Sequence, residues 1–433
     1  MKIEITKLIE TLNHHDLQVR LDSLQQLILK IETGEIEKPP RGRDVNNHIH
    51  TTYSFSPYSP TKAVWMANQA GLATAGIMDH DSINGAAEFI RAGKIAGIAT
   101  TIGIECRVDF SRTPLNGRRI NNPDQASIAY IVLHGIPHTQ TAKVREFFKP
   151  YTHYRNLRNQ AMVVKINELI APAGIALDFA KEVVPVSNFE AGGSITERHL
   201  LYALSLKLIA IYGKGTALVQ FLKEKLALTF NSKLENYLID PDNPFYAYDL
   251  LGLLKSELVA KFYIDATLEC PDVTKVISFA KESGAIAAYA YLGDIADSVT
   301  GDKKNQKFED GYLDQLFEVL KELEFNAVTY MPSRNSTAQL NRVRDLCEHY
   351  SFFQVSGEDI NSPRQSFICE ALRNEAFQNL LEATWALIGH EIEATKDLNR
   401  GMFSAATIKS YPDLKQRIQV FQKIGRQLIT SCI

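Results

Sequence analysis

Asp44-Val45-Asn46-Asn47-His48-Ile49-His50-Thr51-Thr52 decides how this chain is read. Val45 and Ile49 favour an extended segment, and residues two apart on a strand share a face, so His48 and His50 present two imidazoles side by side. That pairing suits zinc, iron or manganese, yet two histidines do not complete a site. The reading therefore needs carboxylates and further histidines at other strand ends.

Working outward, the alternation of elements supports that search. Ser59-Pro60, a periodic apolar run to Ala70 and then Gly71 predict a capped helix, with Ser as N-cap, Pro in the first turn and Gly just past the end. The run 73–78 predicts a second strand ending in Asp79-His80-Asp81. Strand, helix and strand in that order make a right-handed β-α-β unit, with ionisable residues at the strand's C-terminal end. A helix over about 82–96 leads to a third strand ending at Glu105. A fourth, 127–133, runs into His134.

Helical periodicity dominates from about 139 to 260, with breaks at Gly192-Gly193 and from Asn231 to Pro244. The alternation resumes with strands over 284–291, 325–330 and 352–359. Two amphipathic helices, broken near His14-His15-Asp16, precede everything, and Lys38 to Arg43 links them to the first strand. The region after about 366 reads as helical, with loops expected at Gly389-His390 and Asn399 to Met402. The units expected are a helical extension over 1–43, a barrel in two parts over 44–137 and 262–365, a helical insertion over 138–261 and a helical region over 366–433.

Composition restricts the function classes. A length of 433 residues exceeds one ordinary core, and a net charge of −3 gives no global pull toward nucleic acid or anionic membrane. No alternation of basic and aromatic residues suggests a dedicated nucleic-acid platform. Five scattered cysteines, Cys106, Cys270, Cys347, Cys369 and Cys432, without a C-x-x-C, argue against a disulfide framework or a cysteine zinc site. Charges early in the chain and the lack of a long apolar run lead us to expect a reduced, cytoplasmic protein without a membrane span.

Collected from the strand ends, the polar set is His48, His50, Asp79, His80, Glu105, His134 and Asp359. A barrel builds a metal site in this way, at its C-terminal mouth from several strands. Imidazoles around a shared carboxylate suit one Glu bridging two ions, which can polarise a phosphoryl oxygen and generate hydroxide.

On His48-x-His50-Thr, Asp79-His80-Asp81, Gly103-Ile-Glu105, Thr196-Glu-Arg198-His199 and Gly357-Glu-Asp359, the chain resembles the PHP (polymerase and histidinol phosphatase) superfamily. Within it, the resemblance is to the stand-alone metal-dependent phosphoesterases with a helical insertion. It implies a distorted (β/α)7, TIM-barrel-like fold, with divalent ions, zinc, manganese or iron, and hydrolysis of phosphate esters by hydroxide formed on the metal. The sequence also departs from the family. Phe55 stands where relatives carry Asp, Tyr291 where they carry the His of Ala-His-Pro, and Asn361 where they carry the His of D-x-H. The fourth-strand ligand corresponds to Tyr130 or to His134.

One or two ions are expected. The first has His48, His50, Glu105 and Asp359, with Asp79 among the metal-facing carboxylates. The second has Glu105 bridging to His134 or His199, with Tyr291 as phenolate if an ion sits close. A third is not expected, since Phe55 offers no donor. His80 and Glu105 are the candidate catalytic residues, His80 as a proton shuttle. Arg198, His199, Arg334, Asn361 and Arg364 are the candidate phosphate-binding residues, because guanidinium groups hold phosphate bidentately. The expected partner is a small phosphorylated metabolite or nucleotide. The rivals are a barrel whose metal site has decayed into a binding or regulatory module, and a hydrolase of a non-phosphate bond.

Overall fold

The computed structural model describes residues 2–294 and 306–431; Cys432 lies outside them. Seven strands form one sheet in chain order: β1 (Val45–Ile49), β2 (Thr74–His80), β3 (Ala99–Asp109), β4 (Ile128–His134), β5 (Ile286–Ala290), β6 (Ala327–Thr329) and β7 (Phe353–Val355). All neighbours are parallel except β4, which runs antiparallel to both β3 and β5. Just past β7, Ile360 N donates to His48 O at 3.1 Å and Ile360 O accepts from His50 N at 3.0 Å, so the chain closes back onto β1 as a distorted seven-stranded barrel.

The closing seam is stitched largely by side chains. Asn47 Nδ2 donates to Ser356 O at 2.7 Å, and Asn46 both donates to Glu358 O at 3.1 Å and accepts from Glu358 N at 3.0 Å. These amides satisfy backbone groups that a regular ladder would have paired. Gly357 has to be glycine here, since a Cβ would fall 2.6 Å from that of His48.

Helices surround the sheet. The N-terminal pair α1 (Lys2–Thr11) and α2 (Leu17–Glu32), with α3 (Pro60–Gln69) and α4 (Ala86–Ala96), cover β1 to β3. α3 carries the expected caps: Ser59 Oγ accepts from Lys62 N, Pro60 fills the first turn and Gly71 has φ +75°. α2 is tied to α4 by Arg20, which donates to Glu88 at 2.8 and 2.5 Å.

Between β4 and β5 stand α5 (Thr141–Ile170), α6 (Glu197–Tyr212), α7 (Thr216–Glu224), α8 (Ser232–Ile239) and α9 (Tyr246–Phe262). The first half of α5 joins the barrel's apolar core through Val144, Phe148 and Tyr151. Its second half, with Met162 and Ile166, belongs to a separate cluster built by α6 to α9. The stretch from Asn231 to Pro244, expected as a break, holds α8, whose start is capped by Asn231 accepting from Leu234 N. α10 (Val273–Ser283), α11 (Leu313–Glu322) and α12 (Thr337–Tyr350) complete the wall.

The C-terminal α13 (Gln378–Lys396), α14 (Ala405–Ser410) and α15 (Leu414–Ser431) close the floor. Ala383, Ala386 and Leu387 of α13 pack with Met78, Val132, Ile286, Ala327 and Phe353, side chains drawn from five of the strands. Glu391 pins α13 to β3, accepting from Thr101 Oγ1 at 2.7 Å and Ile102 N at 2.8 Å. Gly389-His390 is therefore not a loop but the middle of a helix, and a Cβ on Gly389 would lie 2.0 Å from Phe421 O. The glycine signals close approach of α15 rather than a turn. Among the described residues the four cysteines are free and buried, and no helix is long and apolar enough to cross a membrane.

Candidate metal centre

Strand periodicity brings the ligand-type side chains together. His80 pairs with Glu105 across β2 and β3, so their side chains share a face, and the closing contact at Ile360 sets Asp359 beside β1. Glu105 Oε2 lies 3.1 Å from His80 Nδ1, 3.7 Å from His48 Nε2 and 3.8 Å from His50 Nε2, while His50 Nε2 lies 3.1 Å from Asp359 Oδ1. Two donor groups result, His48/His50/Asp359 and His50/His80/Glu105, sharing His50. One imidazole nitrogen holds one ion, so the set fits a single ion directly; a second would rest on His80 and the other oxygen of Glu105, completed from outside the protein.

Electrostatics favour the ligating protonation states of Glu105, Asp359 and His80, while His50 has a proton to give up. Burial works to raise the Glu105 carboxyl, but His80 and His48 outweigh it and hold it at about 2. Burial lowers His80 to about 3 despite Glu105 beside it, leaving a neutral imidazole. Glu105 is then an acceptor only, so His80 Nδ1 carries the hydrogen and Nε2 the lone pair. His50 is raised, burial being outweighed by its hydrogen bond to Asp359, which in turn sits well below the usual carboxylate range. Without an ion the two share a proton, and ion binding displaces it.

Several candidates stand elsewhere. Asp79 is fully buried and is saturated by Thr51 N at 2.7 Å, Thr51 Oγ1 at 2.6 Å and Ser54 Oγ at 2.6 Å, and it belongs to neither donor group. Ser54 Oγ, having given its hydrogen to Asp79, can only accept at 3.2 Å from His50 Nδ1, which points the His50 Nε2 lone pair at the centre. Asp79 is thus an anchor behind the ligand. His134 lies deeper: β4 is antiparallel, so its C-terminal end runs away from the mouth, and His134 Nε2 meets Thr329 Oγ1 at 3.0 Å. Tyr130, four residues nearer the mouth, takes the place beside His80, with rings 5.9 Å apart. Its hydroxyl accepts from Arg107 Nε at 2.8 Å, and burial pushes its pKa up to about 12, so it is a neutral phenol.

Tyr291 donates to Asp310 Oδ1 at 2.6 Å, and burial with that bond raises its pKa far from the phenolate range. His199 Nδ1 accepts from Thr196 N at 3.0 Å as part of the α6 cap, its ring 5.0 Å from Phe55. Phe55 continues that apolar cluster toward Tyr202 and Tyr248. Asn361 Nδ2 donates to Asp359 Oδ1 at 2.7 Å and orients it. Arg364 is spent on Asp249, two bonds at 2.7 Å, and stacks 4.0 Å over Tyr237, fastening the segment after β7 to α8 and α9.

A cleft of about 880 Å³ opens over the centre, lined by His48, His50, His80, Glu105 and Asp359, by Arg198, Arg334 and Asn361, and by Leu253, Val259 and Tyr263 of the helical segment. Three charged lining residues have no individual role assigned from the sequence. Arg107 shares the face of Glu105 two positions on, which was readable; Arg155 and Glu197 reach the cleft through the fold of α5 and α6, which was not.

Residues 46–180 match the family model of the PHP domain. No curated protein matches the chain. Among solved structures, the chain is similar to a candidate metal-dependent phosphoesterase of Bifidobacterium adolescentis at 16% identity and TM-score 0.48, covering 78% of this chain and 96% of that one. It is also similar to an amidohydrolase of Chromobacterium violaceum with bound sulfate and no metal, at 15% identity and TM-score 0.47, covering 75% and 90%. The match to the PHP-domain model spans the stretches that carry His48, His50, His80 and Glu105.

Proposed function

Taking residues 46–180 as a PHP domain, we propose that the chain is a metal-dependent phosphoesterase acting on a small phosphorylated molecule. The observation that carries this reading is the His48/His50/His80/Glu105/Asp359 cluster, buried at His48 and His50 and half-buried at the other three, opening into a cleft that also holds Arg198 and Arg334. The donor set, imidazoles with carboxylates, fits zinc, manganese or iron. A divalent ion bound there supplies Lewis acidity and a water acidic enough to act near neutral pH.

The residues divide the remaining work. His48, His50, Glu105 and Asp359 hold the ion, and Ser54 and Asn361 fix two of them in orientation. His80, held neutral, takes a proton at Nε2. Arg198, close enough to help lower the Asp359 carboxyl, and Arg334 stand where phosphate oxygens would be received. A second reading, a binding module, draws on Tyr130, Tyr291 and Phe55, none of which offers a donor for a second ion.

Elemental analysis of protein purified without chelators, followed by a phosphate-ester panel with manganese, iron or zinc, tests the proposal. At least one ion per chain and turnover lost in His50→Ala support it. Ion without turnover of any ester favours the binding module, and absence of ion removes the proposal.

A further inference from the structure

Six charged side chains beside the centre form one buried network that the proposed chemistry does not use. Arg158 donates to Glu197 and Glu269, both at 2.6 Å; Arg107 reaches Glu197 at 2.9 Å and Glu269 at 3.4 Å; Arg155 reaches Asp81 at 2.6 Å and Glu269 at 3.6 Å. Three guanidinium groups face three carboxylates, and the side chains are between 2% and 15% exposed. Buried charges of this kind persist only when paired. Arg155 and Arg158 come from α5, Arg107 from β3, Glu197 from the start of α6, and Glu269 from the segment before α10.

The member joined to the centre through the chain is Asp81, next in sequence to His80. It sits at φ +50°, a left-handed conformation uncommon for a residue with a Cβ, so something must hold it there. Its amide donates to Glu105 O at 2.9 Å, carrying the β2–β3 pairing one step beyond His80, and its carboxylate is clamped by Arg155. The turn that aims the His80 ring at Glu105 is therefore fixed from two sides, by the backbone of β3 and by a guanidinium from α5.

We infer that Arg155 is a positioning residue for the metal centre: by clamping Asp81 it sets the aim of His80, and it couples the helical segment between β4 and β5 to ion affinity. This rests on reading the five-residue cluster as a metal centre. Without Arg155, the Asp81 carboxylate faces Glu269 with its nearest cation gone, and the turn relaxes away from Glu105. His80 is the partner one step behind the ligand Glu105, at 3.1 Å, and partners in that place typically govern affinity about 10- to 100-fold, so a relaxed turn reaches the ion through this contact.

The experiment measures Mn²⁺ and Co²⁺ binding to the full chain by competition with a chelating dye, with the Co²⁺ visible spectrum reporting ligand geometry. Wild type is expected to bind, and Arg155→Met to bind about tenfold more weakly with an altered Co²⁺ spectrum. Arg155→Lys, which keeps the charge, should recover part of the loss. Arg155→Met with Asp81→Leu removes both charges of the pair, so it guards against simple misfolding and should retain the weakened binding. Arg158→Met is the structural control: it opens the same network without touching Asp81, so it lowers the unfolding temperature while leaving ion affinity within twofold. Equal affinity in Arg155→Met and wild type overturns the inference, as does an equal loss of affinity in Arg158→Met. No ion in wild type overturns the metal centre and this inference with it.

Discussion

Replacing Asp79 by alanine distinguishes an anchor from a ligand. The carboxylate accepts three short hydrogen bonds from Thr51 and Ser54 in a fully buried position, so its removal orphans the Thr51 amide and frees two hydroxyls. An orphaned buried donor costs about 1–3 kcal/mol and each lost hydroxyl bond about 0.5–1.5 kcal/mol. Burial already raises the Asp79 pKa, so shedding the desolvated carboxyl returns some of that cost, and the net loss should be about 3 kcal/mol. Ion binding should weaken about tenfold but persist, because Ser54 no longer fixes the His50 tautomer while every donor remains. Urea unfolding of metal-free protein gives the first quantity and metal titration the second. Unchanged metal-free stability together with complete loss of the ion would make Asp79 a ligand and refute the reasoning.

His138 Nε2 meets Glu391 Oε1 at 2.7 Å and fastens α13 to the barrel from outside; burial opposes its protonation, but that bond raises its pKa above 6.5. The contribution is complete below pH 6.5 and fades as pH rises through the raised folded value. His138→Gln should therefore be less stable than wild type at pH 5.5 and converge with it in mildly alkaline buffer, and a gap in unfolding midpoint that does not change with pH would count against the bond. Arg364→Ala should cost about 2 kcal/mol by leaving Asp249 unpaired, with KM for any hydrolysed ester moved less than twofold. A tenfold rise in KM at unchanged stability would return Arg364 to substrate binding.

The sequence by itself determined the local parts of the centre. His48, His50, His80 and Glu105 were legible because each lies in or just past a segment readable as a strand and the period of two fixes which side chains share a face. The caps of α3 and the break between α1 and α2 were legible for a similar reason, since their signals act within four residues.

Tertiary structure alone decided the rest, because strand direction and long-range partners leave no trace in local periodicity. Nothing in residues 127–134 says that β4 runs against its neighbours, yet that reversal carries His134 into the barrel and leaves Tyr130 at the mouth. The acceptors that occupy Arg364 and Tyr291, and the donors that saturate Asp79, are 115, 19 and 25 to 28 residues away, so whether each side chain was free for a ligand depended on chain segments brought close only by folding. The same holds for Arg155, whose place beside Asp81 follows from α5 starting in the barrel wall and ending in the helical cluster.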